Sequence, residues 1–472
     1  MSYTLAEVHA WLDRYDGHAT VMRADGAAVD DERALERILL DGLSLDSRRL
    51  TPGTLFVAAR GEHVHGVDYL QDALASGAPA ALVEGPLPRL PGREEVLLGV
   101  GDARHALAAM CRAYLERFSP VVAAITGSNG KTTTKDMTRA ALRERLRVGA
   151  NPGNLNSRWG LPQAVLGQSG DEELLILEMG ASAPGEIAAL CGMSHPRVGC
   201  ITNVAPAHLE GFGDLRGVLD TKAALVESLP TDGLCVLNAE DPSTDELASR
   251  SQASRILYFG TSERSDFRIG LARQDADGLR VVVNGHEALL PIFGQANAFN
   301  VAAACAIASE WQVEVPEAMA RMEDAPLSGH RSTLRRESGR LLLDDCYNAN
   351  PRSMEAALES LATLPVEGER WAVLGSMREL GADSGRMHRE ILRRASELGI
   401  EHILPVGDEM KSAAKDCGLN GGKHGDERAE VARYLARESS EGDAILFKGS
   451  RGVALEGILD LLIVELHGRE TD

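Results

Sequence analysis

Aromatic residues make up only 4% of this 472-residue chain, so aliphatic side chains have to supply most of its core packing. Basic residues are also in deficit: 49 Lys and Arg stand against 70 Asp and Glu, a net charge of −21. That sign excludes non-specific nucleic-acid binding, which needs a basic surface. It confers solubility and means that any anionic ligand is met locally, by a few Lys or Arg, by backbone N–H groups or by metal ions. Cysteine is sparse and scattered (Cys111, Cys191, Cys200, Cys235, Cys305, Cys346, Cys417), odd in number and without a Cys-x-x-Cys pair. Free thiols in a reducing compartment follow, rather than a disulfide framework. No run of 18 apolar residues occurs, which excludes a membrane-spanning helix. The stretch MSYTLAEVHAWLDRYDG has the mixed polarity of a helix and lacks the apolar core of a signal peptide. No short periodic repeat is present, so a solenoid is not expected. A cytoplasmic, monomeric protein that binds neither membrane nor nucleic acid is the expectation.

What is present is length and alternation. One core rarely grows past about 250–300 residues, so several domains are expected. The 48 glycines suit many tight strand-to-helix turns. Three regions emerge. Residues 1–102 hold the β-like runs TLFVAA and AALV and a Pro/Gly-rich stretch, GPLPRLPG. Residues 103–328 open with the helix pattern DARHALAAMCRAYLERF and continue with the apolar runs VVAAIT, LLIL, VGCITNV and LCVLN. Helix-like stretches between those runs suggest a mainly parallel sheet covered on both faces. A more polar β-rich segment follows (ILYFG, RIGLA, LRVVVNG), and a helix is predicted from about Asn300 to Met322. Residues 329–472 alternate LLLDD, WAVLG, HILPVG and AILFKG with helix patterns, which reads as a Rossmann-like α/β domain. It lacks G-x-G-x-x-G, so dinucleotide binding is not implied. The fold class is α/β throughout.

The run VVAAIT leads into Gly127-Ser128-Asn129-Gly130-Lys131-Thr132-Thr133-Thr134 and then a helix pattern. This is a phosphate-loop element: the glycines let N–H groups face phosphate oxygens, Lys131 reaches the β/γ-phosphates and the Thr132 hydroxyl holds Mg²⁺. A strict Walker A would place its first glycine where Ile125 stands. Glu178 ends LLIL at the strand edge where open α/β sheets bind ligands, and His208 lies just beyond a second buried run. Singly, each reads as an ordinary strand-end carboxylate or loop histidine. Beside a phosphate loop they suit an ATP-bound divalent cation.

GSNGKTTTK, LEMGAS, ITNVAPAHLEGFG and DDCYNANP, in that order, resemble the Mur ligases. The resemblance covers nearly the whole chain, and LDSRRLTPGTLFVAARGE resembles the family's UDP-sugar-binding domain. It implies a small α/β UDP-precursor-binding domain, a central P-loop-type ATP-binding domain and a C-terminal Rossmann-like domain for the incoming amine. The motifs DDCYNANP and GSMRELG imply ATP-dependent ligation of D-alanyl-D-alanine to UDP-N-acetylmuramoyl-tripeptide through an acyl phosphate, a step of peptidoglycan synthesis. ATP and two Mg²⁺ ions are the implied cofactors.

Residue by residue, the resemblance implies nucleotide contacts at Gly127, Ser128, Asn129, Gly130, Lys131, Thr132 and Thr133. Asn297 and Asn300 in GQANAFN resemble the adenine-contacting pair, with Ala296 where the family carries His. Arg331 and Asp345 correspond to contacts with phosphate and ribose. Ser47, Arg48, Asn154 and Asn156 correspond to precursor contacts, and Lys448 and Arg451 to the third domain's substrate site. Catalytic roles fall on Lys131, Glu178, His208 and Lys222, and metal ligation on Thr132, Glu178, His208 and Lys222. At Lys222 the family implies a carbamylated lysine; the residue alone reads as a helix lysine. Where the family often has G-E-x-x-D-G-H, this chain has Gly61-Glu62-His63-Val64-His65-Gly66, so those histidines receive no role. Closure of the domains is expected, with a hinge near Pro326-Leu327-Ser328-Gly329. A folylpolyglutamate-type synthase or another Mur step is disfavoured by YNANP and the DSR segment. A nucleotide-driven switch is disfavoured by the separate third domain.

Overall fold

The structure is a computed structural model that describes residues 3–15, 19–29, 32–61, 64–325, 329–419 and 428–470. Glu62, His63 and the hinge residues Pro326, Leu327 and Ser328 lie outside the described residues. The chain divides into two compact units, Met1–Ala124 with Glu144–Gly180 and Glu186–Arg197, and Ile125–Arg143 with Ala181–Gly185 and Val198–Asp472.

In the first unit a five-stranded sheet runs Thr20–Arg23, Val96–Val100, Ala80–Glu84, Thr54–Ala58, Gly42–Ser44. The first pair is antiparallel and the rest are parallel. The fully buried runs TLFVA and VLLGV are what a sheet covered on both faces requires. Helix Ala103–Phe118 begins where Asp102 accepts N–H bonds from Arg104 and His105 at 2.7 and 3.2 Å, an N-cap that satisfies two orphan donors. Several of the scarce aromatics meet at this helix. Tyr114 lies 4.4 Å from Phe118 and 6.1 Å from Tyr3, whose ring is 5.3 Å from Trp11. The unit also holds the parallel pair Val148–Ala150 and Leu174–Glu178 and the antiparallel pair Tyr3–Thr4 and Leu39–Leu40.

In the second unit one sheet runs His286–Leu290, Gly278–Val283, Phe267–Asp275, Arg255–Gly260, Leu234–Asn238, Val198–Ile201. Its last four strands pair in parallel, and the polar hairpins at the other edge are antiparallel. Helix Asn297–Ala308, rich in Ala, packs on helix Lys131–Leu142, rich in Thr and Ala, small side chains that let the axes approach closely. A second sheet runs Thr333–Glu337, Arg340–Asp344, Ala444–Lys448, Arg370–Gly375, His402–Val406 and is parallel after its first pair. Helices Pro351–Thr363, Ser384–Glu397 and Asp408–Asp416 cover one face. Helices Arg428–Glu438 and Glu456–Glu470 cover the other, the doubly wound arrangement expected of the third region.

Two expectations need correction. The helix expected from Asn300 to Met322 is two helices, Asn297–Ala308 and Val315–Met322, because Gln312 adopts a left-handed φ of 58° and breaks the run. Helix Asp408–Asp416 adds a further helix after HILPVG. Among the described residues no helix is long and apolar enough to cross a membrane, and no cysteine is in a disulfide.

Candidate functional site

Strand Val121–Thr126 delivers the chain into the phosphate loop, and helix Lys131–Leu142 starts directly behind it. Gly127 has φ 148° and Gly130 φ 84°. A Cβ on Gly127 would stand 1.9 Å from Thr202 Oγ1, and one on Gly130 2.3 Å from Asn300 Oδ1. Conformation and space therefore both demand glycine at these positions. The loop is braced by the segment after strand Val198–Ile201. Ser128 Oγ donates to Ala205 O at 2.7 Å, Asn129 N donates to Asn203 Oδ1 at 3.1 Å, and Thr202 Oγ1 donates to Asn129 O at 2.5 Å. That segment is itself held, by Asn238 Nδ2 donating to Thr202 O at 3.1 Å and Val204 N donating to Asp241 Oδ2 at 2.6 Å. The result is a rigid loop whose following helix presents its first N–H groups and positive dipole end to an anion. Lys131 Nζ folds over the loop and donates to Gly127 O at 2.8 Å and Ser128 O at 3.4 Å. Thr132 and Thr133 are buried.

Replacing Gly130 with Ala tests this reading. The left-handed backbone alone costs a side chain about 1–2 kcal/mol, and the new methyl also meets Asn300. A lower melting temperature and weaker ATP binding are expected, measurable by calorimetry; an unchanged melt would show that the loop relaxes at no cost.

Lys222 projects from helix Leu215–Glu227 and is 4% exposed. Among the described residues no hydrogen bond or ion pair to it is found, and its neighbouring charge is the Lys131 ammonium. Burial, reinforced by that ammonium, pushes Lys222 down to about 7. A buried amine whose neighbouring charge is a second ammonium fits conversion to an anionic group. His208 takes a left-handed φ of 51° ahead of the short helix Leu209–Phe212, and its Nδ1 meets the Glu379 carboxylate.

Asn297 and Asn300 are both buried and act on the protein itself. Asn300 Nδ2 donates to Asn297 Oδ1 at 2.7 Å, Thr134 Oγ1 donates to Asn300 Oδ1 at 3.2 Å, and Asn297 Nδ2 donates to Phe293 O at 2.8 Å. The pair thus fixes helix Asn297–Ala308 against the helix that carries the phosphate loop.

At the ends of strands Arg340–Asp344 and Ala444–Lys448 the structure brings together four more of the sequence-selected residues. Lys448 Nζ donates to Asp345 Oδ2 at 2.5 Å. Arg331 lies 3.6 Å and Arg451 5.8 Å from the Tyr347 ring centroid. This gathers three cations, one carboxylate and an aromatic face around one loop. Asn350 caps helix Pro351–Thr363 and donates through Nδ2 to Asn129 Oδ1 at 2.7 Å, tying the loop to the phosphate loop. The adjacent buried Asp344 is satisfied by His330 at 2.8 Å, Cys346 at 3.0 Å and Arg335 at 3.3 Å.

In the first unit, Glu178 is 2% exposed at the end of its strand. Asn156 Nδ2 donates to its Oε1 at 2.7 Å, and Asn151 bonds its backbone N–H and C=O at 2.8 and 3.0 Å. Asn156 therefore orients a carboxylate. Asn154 instead lines a cavity of about 530 Å³ together with Asp41, Ser44, Arg49, Thr51 and Thr54. Ser47 and Arg48 sit on a short 3₁₀ turn outside that lining. The Arg48 guanidinium pairs with Asp46 at 2.8 Å and holds its carboxyl down at about 2. Sequence reasoning missed Arg49, Ser44, Asn203, Asn151 and Glu379. The Ser/Arg/Thr-rich LSLDSRRLT was a signal for the first two; the others depend on pairings that only the fold creates.

Comparison with known proteins gives the same outline. Residues 125–308 match the profile of the Mur ligase middle domain. Residues 330–451 match that of the Mur ligase, glutamate ligase domain, and residues 40–115 that of the Mur ligase family, catalytic domain. The chain is 32% identical over 435 residues to the UDP-N-acetylmuramoyl-tripeptide–D-alanyl-D-alanine ligase of Bacillus subtilis, across 91% of this chain and 94% of that protein. A crystal structure of MurF from Acinetobacter baumannii superposes with a TM-score of 0.85 at 26% identity, over 98% of this chain and 99% of that one. MurF from Thermotoga maritima, solved in complex with ADP, gives 0.80 at 28% identity, over 92% and 99%. With three family profiles and similarity running nearly end to end, the chain belongs to the Mur ligase family.

Proposed function

We propose that this chain is an ATP-dependent amide-bond ligase that joins D-alanyl-D-alanine to UDP-N-acetylmuramoyl-tripeptide, giving the UDP-linked pentapeptide of peptidoglycan synthesis, ADP and phosphate. The observation that carries this reading is the braced Gly127–Lys131 loop at a helix N-terminus, in a chain whose relatives are named for that reaction. We assign residues 1–102 to precursor binding, 103–328 to ATP and 329–472 to the incoming amine, in a cytoplasmic monomer that engages neither membrane nor nucleic acid.

A carboxylate is a poor electrophile at neutral pH. Its oxygen attacks the γ-phosphorus, ADP leaves, and an acyl phosphate forms. The dipeptide amine then attacks the acyl carbon, and phosphate departs from the tetrahedral intermediate. In the first step two anions meet, so charge neutralisation and positioning supply most of the acceleration. The loop N–H groups from Gly127 to Thr133 hold the phosphates, and Lys131 follows the transferred group. Asn297 and Asn300 set the adenine side, and Arg331 and Asp345 the phosphate and ribose contacts. Ser47, Arg48, Asn154 and Asn156 serve the precursor, and Lys448 and Arg451 the incoming substrate. A hydroxyl, a carboxylate and an imidazole form a donor set that suits Mg²⁺, and the buried Lys222, without a hydrogen-bond or ion-pair partner among the described residues, fits the set as a carbamate. Thr132, Glu178, His208 and carbamylated Lys222 would therefore hold two Mg²⁺ ions. Bound Mg²⁺ supplies Lewis-acid neutralisation of the phosphate charge.

Mass spectrometry after incubation with ATP, Mg²⁺, UDP-tripeptide and D-alanyl-D-alanine tests the reaction. The pentapeptide product is expected in one-to-one ratio with ADP, and omission of either substrate should abolish both. Equal ADP release without the dipeptide would instead indicate an ATPase or a switch.

A further inference from the structure

We infer that Glu379 is a positioning residue for His208: its carboxylate fixes the imidazole so that Nε2 presents a lone pair to the divalent cation. The inference rests on the reading of His208 as a metal ligand given above.

The two residues come from different sheets of the second unit. His208 follows strand Val198–Ile201, and Glu379 lies in the loop after strand Arg370–Gly375. Both hold left-handed backbones, φ 51° and 62°, which non-glycine residues adopt only when their surroundings impose it. The surroundings of Glu379 do impose it. Met377 N donates to Nε2 of the buried His388 at 2.8 Å, Arg378 N donates to Ser450 Oγ at 3.0 Å, and Ser376 N donates to Val406 O at 2.9 Å. Met377 and Leu380 are buried on either side. The backbone at Glu379 is therefore fixed while its side chain, 52% exposed, projects outward. Among the described residues its polar partner is His208 Nδ1.

A carboxylate can only accept a hydrogen bond, so Nδ1 of the neutral ring carries the proton and Nε2 is left as the acceptor. An exposed ion pair contributes little to stability. The same contact behind a metal ligand changes metal affinity by about 10–100-fold. A stability role is thus the weaker explanation for a strained glutamate aimed at a strained histidine. Because Glu379 is in the third region and His208 in the second, this contact also makes a complete metal site depend on their meeting.

The test is Mn²⁺ binding to the full chain with a non-hydrolysable ATP analogue, read from the electron paramagnetic resonance signal of free Mn²⁺. Glu379→Ala should weaken one binding event about 10-fold or more, the same event that His208→Ala removes. Glu379→Gln, which keeps an acceptor oxygen and loses the charge, should recover part of the affinity. The Mg²⁺ concentration for half-maximal activity should rise in parallel, while kcat at saturating Mg²⁺ moves far less. Normal Mn²⁺ binding by Glu379→Ala beside weakened binding by His208→Ala would overturn this inference alone. Normal binding by His208→Ala would overturn the metal reading of His208 and this inference with it.

Discussion

Lys131→Ala is expected to lower the rate of ligation by at least about 100-fold, which corresponds to about 2.7 kcal/mol of lost transition-state stabilisation. The expectation follows from the position of the ammonium. Lys131 is the first residue of its helix, and its Nζ already lies over the loop, held by the carbonyl oxygens of Gly127 and Ser128 at 2.8 and 3.4 Å. A phosphate oxygen entering the loop would be a stronger partner for the ammonium than either neutral carbonyl. The ammonium can therefore follow the γ-phosphoryl group as charge redistributes, without reorganisation of the backbone. Removing it leaves the loop N–H groups in place, so the nucleotide should still bind, more weakly, while the chemical step slows.

The fold should tolerate the change, because Ala is a better helix former than Lys and the loop's braces run through Ser128, Asn129 and Thr202. Single-turnover measurement with saturating ATP separates the two effects. Near-normal turnover by a variant with a wild-type melting curve would end the phosphate-loop assignment.

The parts of the fold that were legible are those where local sequence and tertiary environment agree. VVAAIT, LLIL, LCVLN and AILFK are continuous aliphatic runs because each is buried on both faces, and each is a strand. Edge strands are different. TVMR at Thr20–Arg23 and TLRRE at Thr333–Glu337 are half-exposed and carry arginines, so neither alternation nor an apolar run marks them. The merging of two helices into one between Asn300 and Met322 had a local signal against it: Pro316 stands in the first turn of Val315–Met322, where proline favours a helix start. The break itself falls on Gln312, a residue that does not ordinarily announce a left-handed backbone.

The candidate site divides in the same way. A glycine loop, a lysine and a threonine are contiguous, so their chemistry could be read directly. Asn203, Asn238 and Asp241 brace that loop from parallel strands separated by crossovers, and no spacing in the sequence relates them. Asn156, proposed as a precursor contact, also donates its amide to Glu178. Resemblance can place a residue at a site without saying which neighbour it serves. Arg48 and Arg49 make the same point: adjacent in sequence, both pair with Asp46, at 2.8 and 3.8 Å, yet of the two it is Arg49 that lines the cavity.

Lys222→Ala is expected to reduce activity by about 10²–10³-fold while leaving the fold intact, and small carboxylates are expected to restore part of the loss. A free ammonium would repel Mg²⁺, whereas a carbamate offers the oxygen ligands a hard cation prefers. Carbamylation requires a neutral amine, and burial next to Lys131 pushes Lys222 down to about 7, so a large share is uncharged at neutral pH. A buried amine without a partner is also costly to the folded state. Its conversion to an anion beside the Lys131 ammonium replaces repulsion with attraction, so the modification suits the fold as well as the metal. In Lys222→Ala the vacated space can admit formate or acetate, whose oxygens stand in for the carbamate. Lys222→Arg should remain inactive with or without them, because a guanidinium keeps the positive charge and cannot be carbamylated under these conditions. Incubation with ¹³C-bicarbonate gives a readout independent of turnover: a carbamate carbon resonance in the wild-type protein that is absent from Lys222→Ala. Wild-type rates for Lys222→Ala, with no response to added carboxylate, would sink the carbamate while leaving the ligase reading in place.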